Sequence, residues 1–327
     1  MHNLYRNTMA FAGQRPWHQL GVQFDQEFTS AEAIAAARLD YPVRKEQLYR
    51  LRPDLGPVRM EPIEAWATIN VHSQDVLGVV GDVYEVLQNQ EAFDFFDILL
   101  KETGGKLQTA GAIGKGEKVW MLAKLPEIFY PLAGDGVEKF LLGTTSHDGS
   151  TKTEVRFTDI RVVCQNTFNL AMNGSRGVIS IRHTSNMRQK LEMAAMVLLR
   201  YKEHFDIVSD RFSKLASVRV DDAWIDEYLE RVIGNPLNVP DGRARTMMEN
   251  KIRLVEGRLN TGMGVDLPGV AGTAWWAMNA LVEYADYDLR AKGQALDETR
   301  RTQSVLFGTA AEFKQQAFDT ALAMVSR

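Results

Sequence analysis

The amino-acid sequence predicts an α+β protein. A strand-rich N-terminal half, forming an antiparallel sheet with one or two helices, is followed by a mostly helical C-terminal half. Three observations predict this class. Short runs rich in Val, Ile, Phe and Thr, bounded by Gly-Asp or Asp-Gly pairs, fill residues 63–165. Apolar residues then recur at three- and four-residue spacing through 186–327. Within that half, Met187, Leu191, Ala194, Leu198, Tyr201, Phe205, Val208, Phe212 and Leu215 form an unbroken heptad series. The expected organisation is an N-terminal arm with a short helix (1–60), an antiparallel α+β domain (61–185) and a helical region packed on it (186–327).

In the arm, Ser30 is placed to cap an alanine-rich helix over Ala31–Arg38. Pro42, Pro53 and Pro57 break any long regular element, and Arg52–Pro57 has turn composition. In the middle, Ala65–Val71 and Leu77–Val80 read as strands, with Gly81-Asp82 turning into a third over Val83–Leu87. Phe93, Phe96, Leu99 and Leu100 mark a helix from Asn89 to about Glu102, ended by Gly104-Gly105. Strands resume at Leu107–Ile113 and Val119–Leu125. The clearest hairpin joins Phe140–Thr145 to Thr151–Cys164 through Asp148-Gly149. The heptad series predicts a helix of about 30 residues, some 45 Å long at 1.5 Å per residue. Its stripe must be buried, either in this chain or against a neighbouring subunit. Further helices are expected at Ala223–Val232, Gly242–Glu256, Thr273–Lys292 and Thr302–Val325.

Composition narrows the function classes. The chain has 327 residues, 45% of them apolar, which is enough for a sizeable core. The net charge is −4, so the whole-chain basic bias typical of duplex-DNA binders is absent. A single cysteine, Cys164, excludes an intramolecular disulfide and a multi-thiolate metal site, and fits a reducing cytoplasm. The N-terminus has no apolar core like that of a signal peptide, and no apolar run approaches the roughly 18 residues of a membrane span. No membrane association is expected.

The catalytic and cofactor templates fail. Gly111, Gly114 and Gly116 have the wrong gap order for a dinucleotide fingerprint, and no P-loop pattern occurs. No two of the six histidines fall three to five residues apart, so no metal site is expected. Cys164 and His183 both lie near strand ends and would suit a thiol nucleophile with its base, but no third orienting group is visible. No cofactor is expected.

Charge supplies the candidate site. Residues 151–190 carry seven bases and two acids, a local net of +5 that leaves the rest of the chain at −9. Lys152, Arg156, Arg161, Arg182, Arg188 and Lys190, with Asn166 and His183 among them, are the candidate nucleic-acid-binding residues. Guanidinium forks match phosphate oxygens, and strand alternation would set several on one face. A solvated sheet face with scattered ion pairs is the competing account.

Four stretches carry a family likeness: Pro16–Gly21 (PWHQLG); Arg161–Thr167 (RVVCQNT) followed by Ile181–Thr184 (IRHT); Thr273–Ala280 (TAWWAMNA) with Glu283-Tyr284; and Ser304–Gly308 (SVLFG). In that order they resemble the phage/plasmid-like protein family, a family of uncharacterised proteins of phages, prophages and plasmids. The resemblance implies a mobile-element origin and a bacterial cytoplasmic setting, and it brings no catalytic residues. Taken without the resemblance, Trp275 and Trp276 read as core anchors, and Asn166-Thr167 as a helix N-cap.

The expected function is therefore a non-catalytic nucleic-acid-binding protein of a phage or plasmid. Single-stranded DNA binding or annealing is the specific expectation, with a homo-oligomer formed through the 187–215 helix. The order of hairpin, helix, strands and long helix is loosely similar to phage single-strand annealing proteins, a fold-level analogy. The alternatives are a protein-interaction factor, accessory or inhibitory, and a Cys/His-dependent enzyme.

Overall fold

The computed structural model describes residues 4–12, 21–52, 59–161, 166–168, 178–191, 202–289 and 309–326. They form an α+β protein with its strands in the first half and most of its helices in the second. The strands are β1 (Leu4–Ala12), β2 (Val22–Phe24), β3 (Val43–Arg52), β4 (Arg59–Asn70), β5 (Val76–Val80), β6 (Lys106–Ile113), β7 (Lys118–Leu132), β8 (Asp135–Ser146), β9 (Thr153–Arg161), β10 (Asn166–Phe168) and β11 (Val178–Ile181). The helices are α1 (Ser30–Ala36), α2 (Asn89–Thr103), α3 (Lys202–Ser217), α4 (Asp222–Ile233), α5 (Arg243–Thr261), α6 (Ala274–Tyr287) and α7 (Thr309–Met324). Residues 187–191 are also helical. One sheet runs β10-β9-β8-β7-β6-β1-β2, with β11 also paired to β9, and a second runs β3-β4-β5. No helix among the described residues is long and apolar enough to cross a membrane.

The chain divides into two compact units. The first comprises Met1–Leu125, Phe140–Arg156 and Gly177–Arg200, and the second Pro126–Lys139, Phe157–Arg176 and Tyr201–Arg327. Strands β7, β8 and β9 each contribute one end to each unit.

In the first unit, α2 buries Phe93, Phe95, Phe96, Leu99 and Leu100. Gly104 ends it in the left-handed conformation, at φ 68°. Two glycines exist for close packing. A Cβ on Gly111 would lie 2.4 Å from the Trp120 ring, and one on Gly78 would lie 2.4 Å from Asp148 Cα. The second contact lets β5 lie directly against the β8–β9 turn.

The N-terminal segment differs from the irregular arm expected. Leu4–Ala12 is a strand antiparallel to β6 and parallel to β2, with Tyr5, Met9, Ala10 and Phe11 buried. Arg6 and Asn7 hold positive φ (50° and 55°), and the register shifts between Leu4 and Met9. That bulge breaks the alternation which would have marked the strand in the sequence. Helix α1 is capped one residue earlier than expected. Thr29 accepts from Glu32 N, and Glu32 reaches back to Thr29 N at 2.8 Å, a reciprocal capping box. Val83–Leu87 is not a strand, because its backbone groups bond elsewhere. Glu85 N donates to His183 O (3.0 Å), and Lys45 Nζ donates to Tyr84 O (3.0 Å).

In the second unit, α6 is the axis. Trp275 is fully buried and donates from Nε1 to Asp135 Oδ2 at 2.8 Å. Phe212 meets Trp275 at 4.9 Å between ring centroids and stands edge-on to Phe318 at 5.8 Å. Trp276 donates to Leu259 O at 3.0 Å, so both tryptophans are core anchors as expected. Of the heptad stripe, Val208, Phe212 and Leu215 are buried in this core. Met187 and Leu191 are buried in the first unit, and residues 192–201 lie outside the described ones. Met187, Leu191, Val208, Phe212 and Leu215 of the stripe are thus covered by the chain itself.

Phe212 has both an indole and a phenyl ring against it, so truncation leaves a cavity that rigid aromatic neighbours cannot fill. Phe212→Ala is expected to lower unfolding free energy by about 3–5 kcal/mol, measured by urea denaturation with an unchanged slope.

Candidate functional site

The β8–β9 turn carries the candidate site, and its shape is set by a buried polar network. His147 is fully buried at the end of β8. Its backbone N–H donates to Glu117 O (2.7 Å) and its carbonyl accepts from Thr68 Oγ1 (2.7 Å). Asn89 Nδ2 donates to Leu39 O, so its Oδ1 is the acceptor facing His147 Nε2 at 2.8 Å. The imidazole is therefore protonated on Nε2, and its Nδ1 lone pair has no partner among the described residues. Burial lowers the pKa of His147 from 6.5 to about 3, with the neighbouring His183 adding to the effect and Asp148 opposing it.

His183 belongs to the same buried layer. Its Nδ1 lies 3.3 Å from Glu85 O, which can only accept, so Nδ1 carries the proton. Thr153 Oγ1 then donates to His183 Nε2 (3.2 Å) and accepts from Thr145 Oγ1 (3.0 Å). The ring stacks on Tyr84, with centroids 4.9 Å apart and planes at 14°. Tyr84 OH donates to Ser146 O at 2.7 Å. Burial also lowers the His183 pKa, against the Glu85 carbonyl and Asp148. The structure accounts for this residue by packing and hydrogen bonding, which the sequence did not.

Above the Tyr84–His183 pair lies a cleft of about 360 Å³, bounded by the turn residues Gly149–Lys152, by Gly81 and Val83, and by Arg182–Thr184. Three residues of the expected band meet here. The β9–β11 register sets Ile181 opposite Thr153, so Arg182 stands across from Lys152 one step beyond the ladder. Thr153 and Ile181 point inward and are buried, while Lys152 and Arg182 are exposed. No carboxylate pairs with either cation among the described residues. Glu154, the next acid along that face, is bonded to Arg156 and to Ser180 Oγ. Asp148, at the turn, accepts from Ser150 N.

The other expected residues are placed differently. Arg156 is half-buried and paired with Glu154. Arg188 makes a two-pronged pair with Glu91 (2.8 and 3.0 Å), so its fork is already occupied. Lys190 is exposed on the short helical turn 187–191. Arg161 pairs with Asn166 across β9 and β10, so Asn166 begins a strand and not a helix. Cys164 lies outside the described residues, as do most of the Pro16–Gly21 stretch and all of Ser304–Gly308. The described residues hold no cluster of three or more His, Cys, Asp or Glu suited to a metal. Sequence reasoning missed Tyr84, Asn89 and His147. Asp148-Gly149 marked the turn, but nothing marked the residues beneath it.

Both histidines are held neutral in the fold, whereas an unfolded chain takes up their protons near pH 6.5. Their stabilisation is complete above that value and is lost as pH falls through the lowered folded-state pKa of each, about 3 for His147. Unfolding free energy should decline below pH 6.5 by about 1.4 kcal/mol per pH unit for each neutral histidine. Replacing His147 with Gln should flatten the slope; an unchanged slope would show that carboxylates alone set it.

The family model described as "Domain of unknown function (DUF932)" matches residues 76–306, a span that contains every residue of the cleft. No curated protein and no solved structure matches the chain. With well over half of its length matched, the chain belongs to the family described as a domain of unknown function, DUF932.

Proposed function

We propose that this protein is a non-catalytic nucleic-acid-binding protein that acts on single strands, in the cytoplasm of a bacterial host, as part of a phage or plasmid. One observation carries the reading: Lys152 and Arg182 stand opposite one another, and neither is paired to a carboxylate among the described residues. Like charges directly opposed across a ladder repel. A phosphate seated between them removes that repulsion and gains charge-assisted hydrogen bonds. Lys190 extends the basic surface on the same unit, and Ser150 and Thr151 add hydroxyl donors at the cleft.

A protein-interaction role is the second reading, and a different observation favours it. On the outer part of the β3–β4 ribbon, Leu51 pairs with Met60 and Tyr49 with Pro62. Tyr49, Leu51 and Met60 are each more than half exposed. Apolar side chains displayed together on a ribbon are common at protein contacts.

Fluorescence anisotropy with a labelled single-stranded oligonucleotide separates the two. Affinity should fall steeply with salt. Lys152→Ala and Arg182→Ala should each weaken binding and each reduce the logarithmic salt slope by about 0.7. Absence of binding at low salt would sink the nucleic-acid reading, and Leu51→Ser should leave binding unaltered.

A further inference from the structure

We infer that the cleft at the β8–β9 turn is a pocket for a single nucleoside 5′-monophosphate group, either free or as the first nucleotide of a strand. The inference rests on the nucleic-acid reading for the strand-borne form, and stands without it for the free one.

Size comes first. A cleft of about 360 Å³ lies at the lower end of small-molecule pockets, which run from about 300 to 1,000 Å³. Surfaces that track single strands without preference hold about 4–16 nucleotides per module in an open groove. This cleft is closed at its base by the stacked Tyr84 and His183 and at its sides by the turn and by Arg182–Thr184. Its volume matches about one nucleotide.

Chemistry comes second. The polar wall carries the cations Lys152 and Arg182 and the hydroxyls of Ser150, Thr151 and Thr184, the last of which donates to Asn186 Oδ1. A phosphomonoester carries nearly two negative charges at neutral pH, and an internal phosphodiester carries one. Two opposed cations, neither paired to a carboxylate among the described residues, match the monoester better. The backbone N–H groups of Ser150 and Thr151 are already used, by Asp148 Oδ1 and Ser146 Oγ. Recognition of the anion therefore falls to side chains, and the turn that presents them is fixed beforehand.

The apolar wall completes the site. Tyr84 and His183 are tied in place, through Ser146 O in one case and through Thr153 and Glu85 O in the other. Both rings are buried and neutral, so they give the cleft an apolar floor. Gly81 leaves the rim open, since a Cβ there would meet nothing within 4 Å.

The test uses the full chain and four probes: thymidine 5′-monophosphate, thymidine, and a ten-residue oligothymidylate ending in either a 5′-phosphate or a 5′-hydroxyl. The monophosphate should bind and thymidine should not. The 5′-phosphorylated strand should bind more tightly than its 5′-hydroxyl counterpart. Arg182→Gln and Lys152→Gln should each cost at least about tenfold in monophosphate affinity. Both side chains are exposed, so circular dichroism should be unchanged in the variants. Equal affinity for the two strands, with no competition by the monophosphate, overturns the pocket and leaves single-strand binding intact. Binding of the monophosphate with neither strand bound supports the pocket and removes the nucleic-acid reading. Failure of all four probes to bind overturns both.

Discussion

His147 joins four separate segments of the first unit, and the cleft depends on its being held there. Its ring bonds Asn89 at the start of α2, and its backbone bonds Thr68 of β4 and Glu117 of the β6–β7 turn. The edge of its ring faces Tyr41 at 6.2 Å. Tyr41 OH in turn donates to Gly116 O, closing the circuit around the same turn. An imidazole suits this position because it is flat enough to pack and polar enough to hold an amide, yet carries no charge once buried. A charged side chain there would leave a desolvated ion, and an apolar one would strand Asn89 Oδ1.

The network also explains why a turn of small polar residues makes a defined surface. Ser146 Oγ donates to Thr151 O and accepts from Thr151 N, and Asp148 accepts from Ser150 N. With these groups engaged inside the turn, Lys152 leaves it at a fixed point. Arg182 arrives opposite it through a ladder whose inward residues, Thr153 and Ile181, are buried. Preorganisation of this kind lowers the ordering entropy of binding.

Elsewhere the described ionic groups away from solvent are paired. In the second unit Lys314 and Asp286 form a buried ion pair at 2.7 Å. Burial lowers the Lys314 pKa, and Asp286 opposes that shift. Arg258 spans Glu283 (2.6 Å) and Asp288 (2.8 Å). Such pairs are costly to break and serve poorly as binding sites, because each charge already has its partner.

The sequence by itself determined the class and most of the elements. Gly104 marked the end of α2, Asp148-Gly149 marked the turn, and heptad spacing identified Val208, Phe212 and Leu215 as one buried stripe. These are local signals, set by backbone sterics and by the period of one element. It also located the basic band that supplies Lys152 and Arg182. Only the tertiary structure decided which bases meet. Arg188 and Arg156 have the same chemistry as Arg182 but found Glu91 and Glu154, far and near in the chain respectively. Pairing across 30 residues, as between Thr153 and His183, leaves no trace in spacing or composition. The same holds for β1, whose alternation is hidden by the Arg6-Asn7 bulge, and for His147, which reads as a turn histidine until four distant segments close around it.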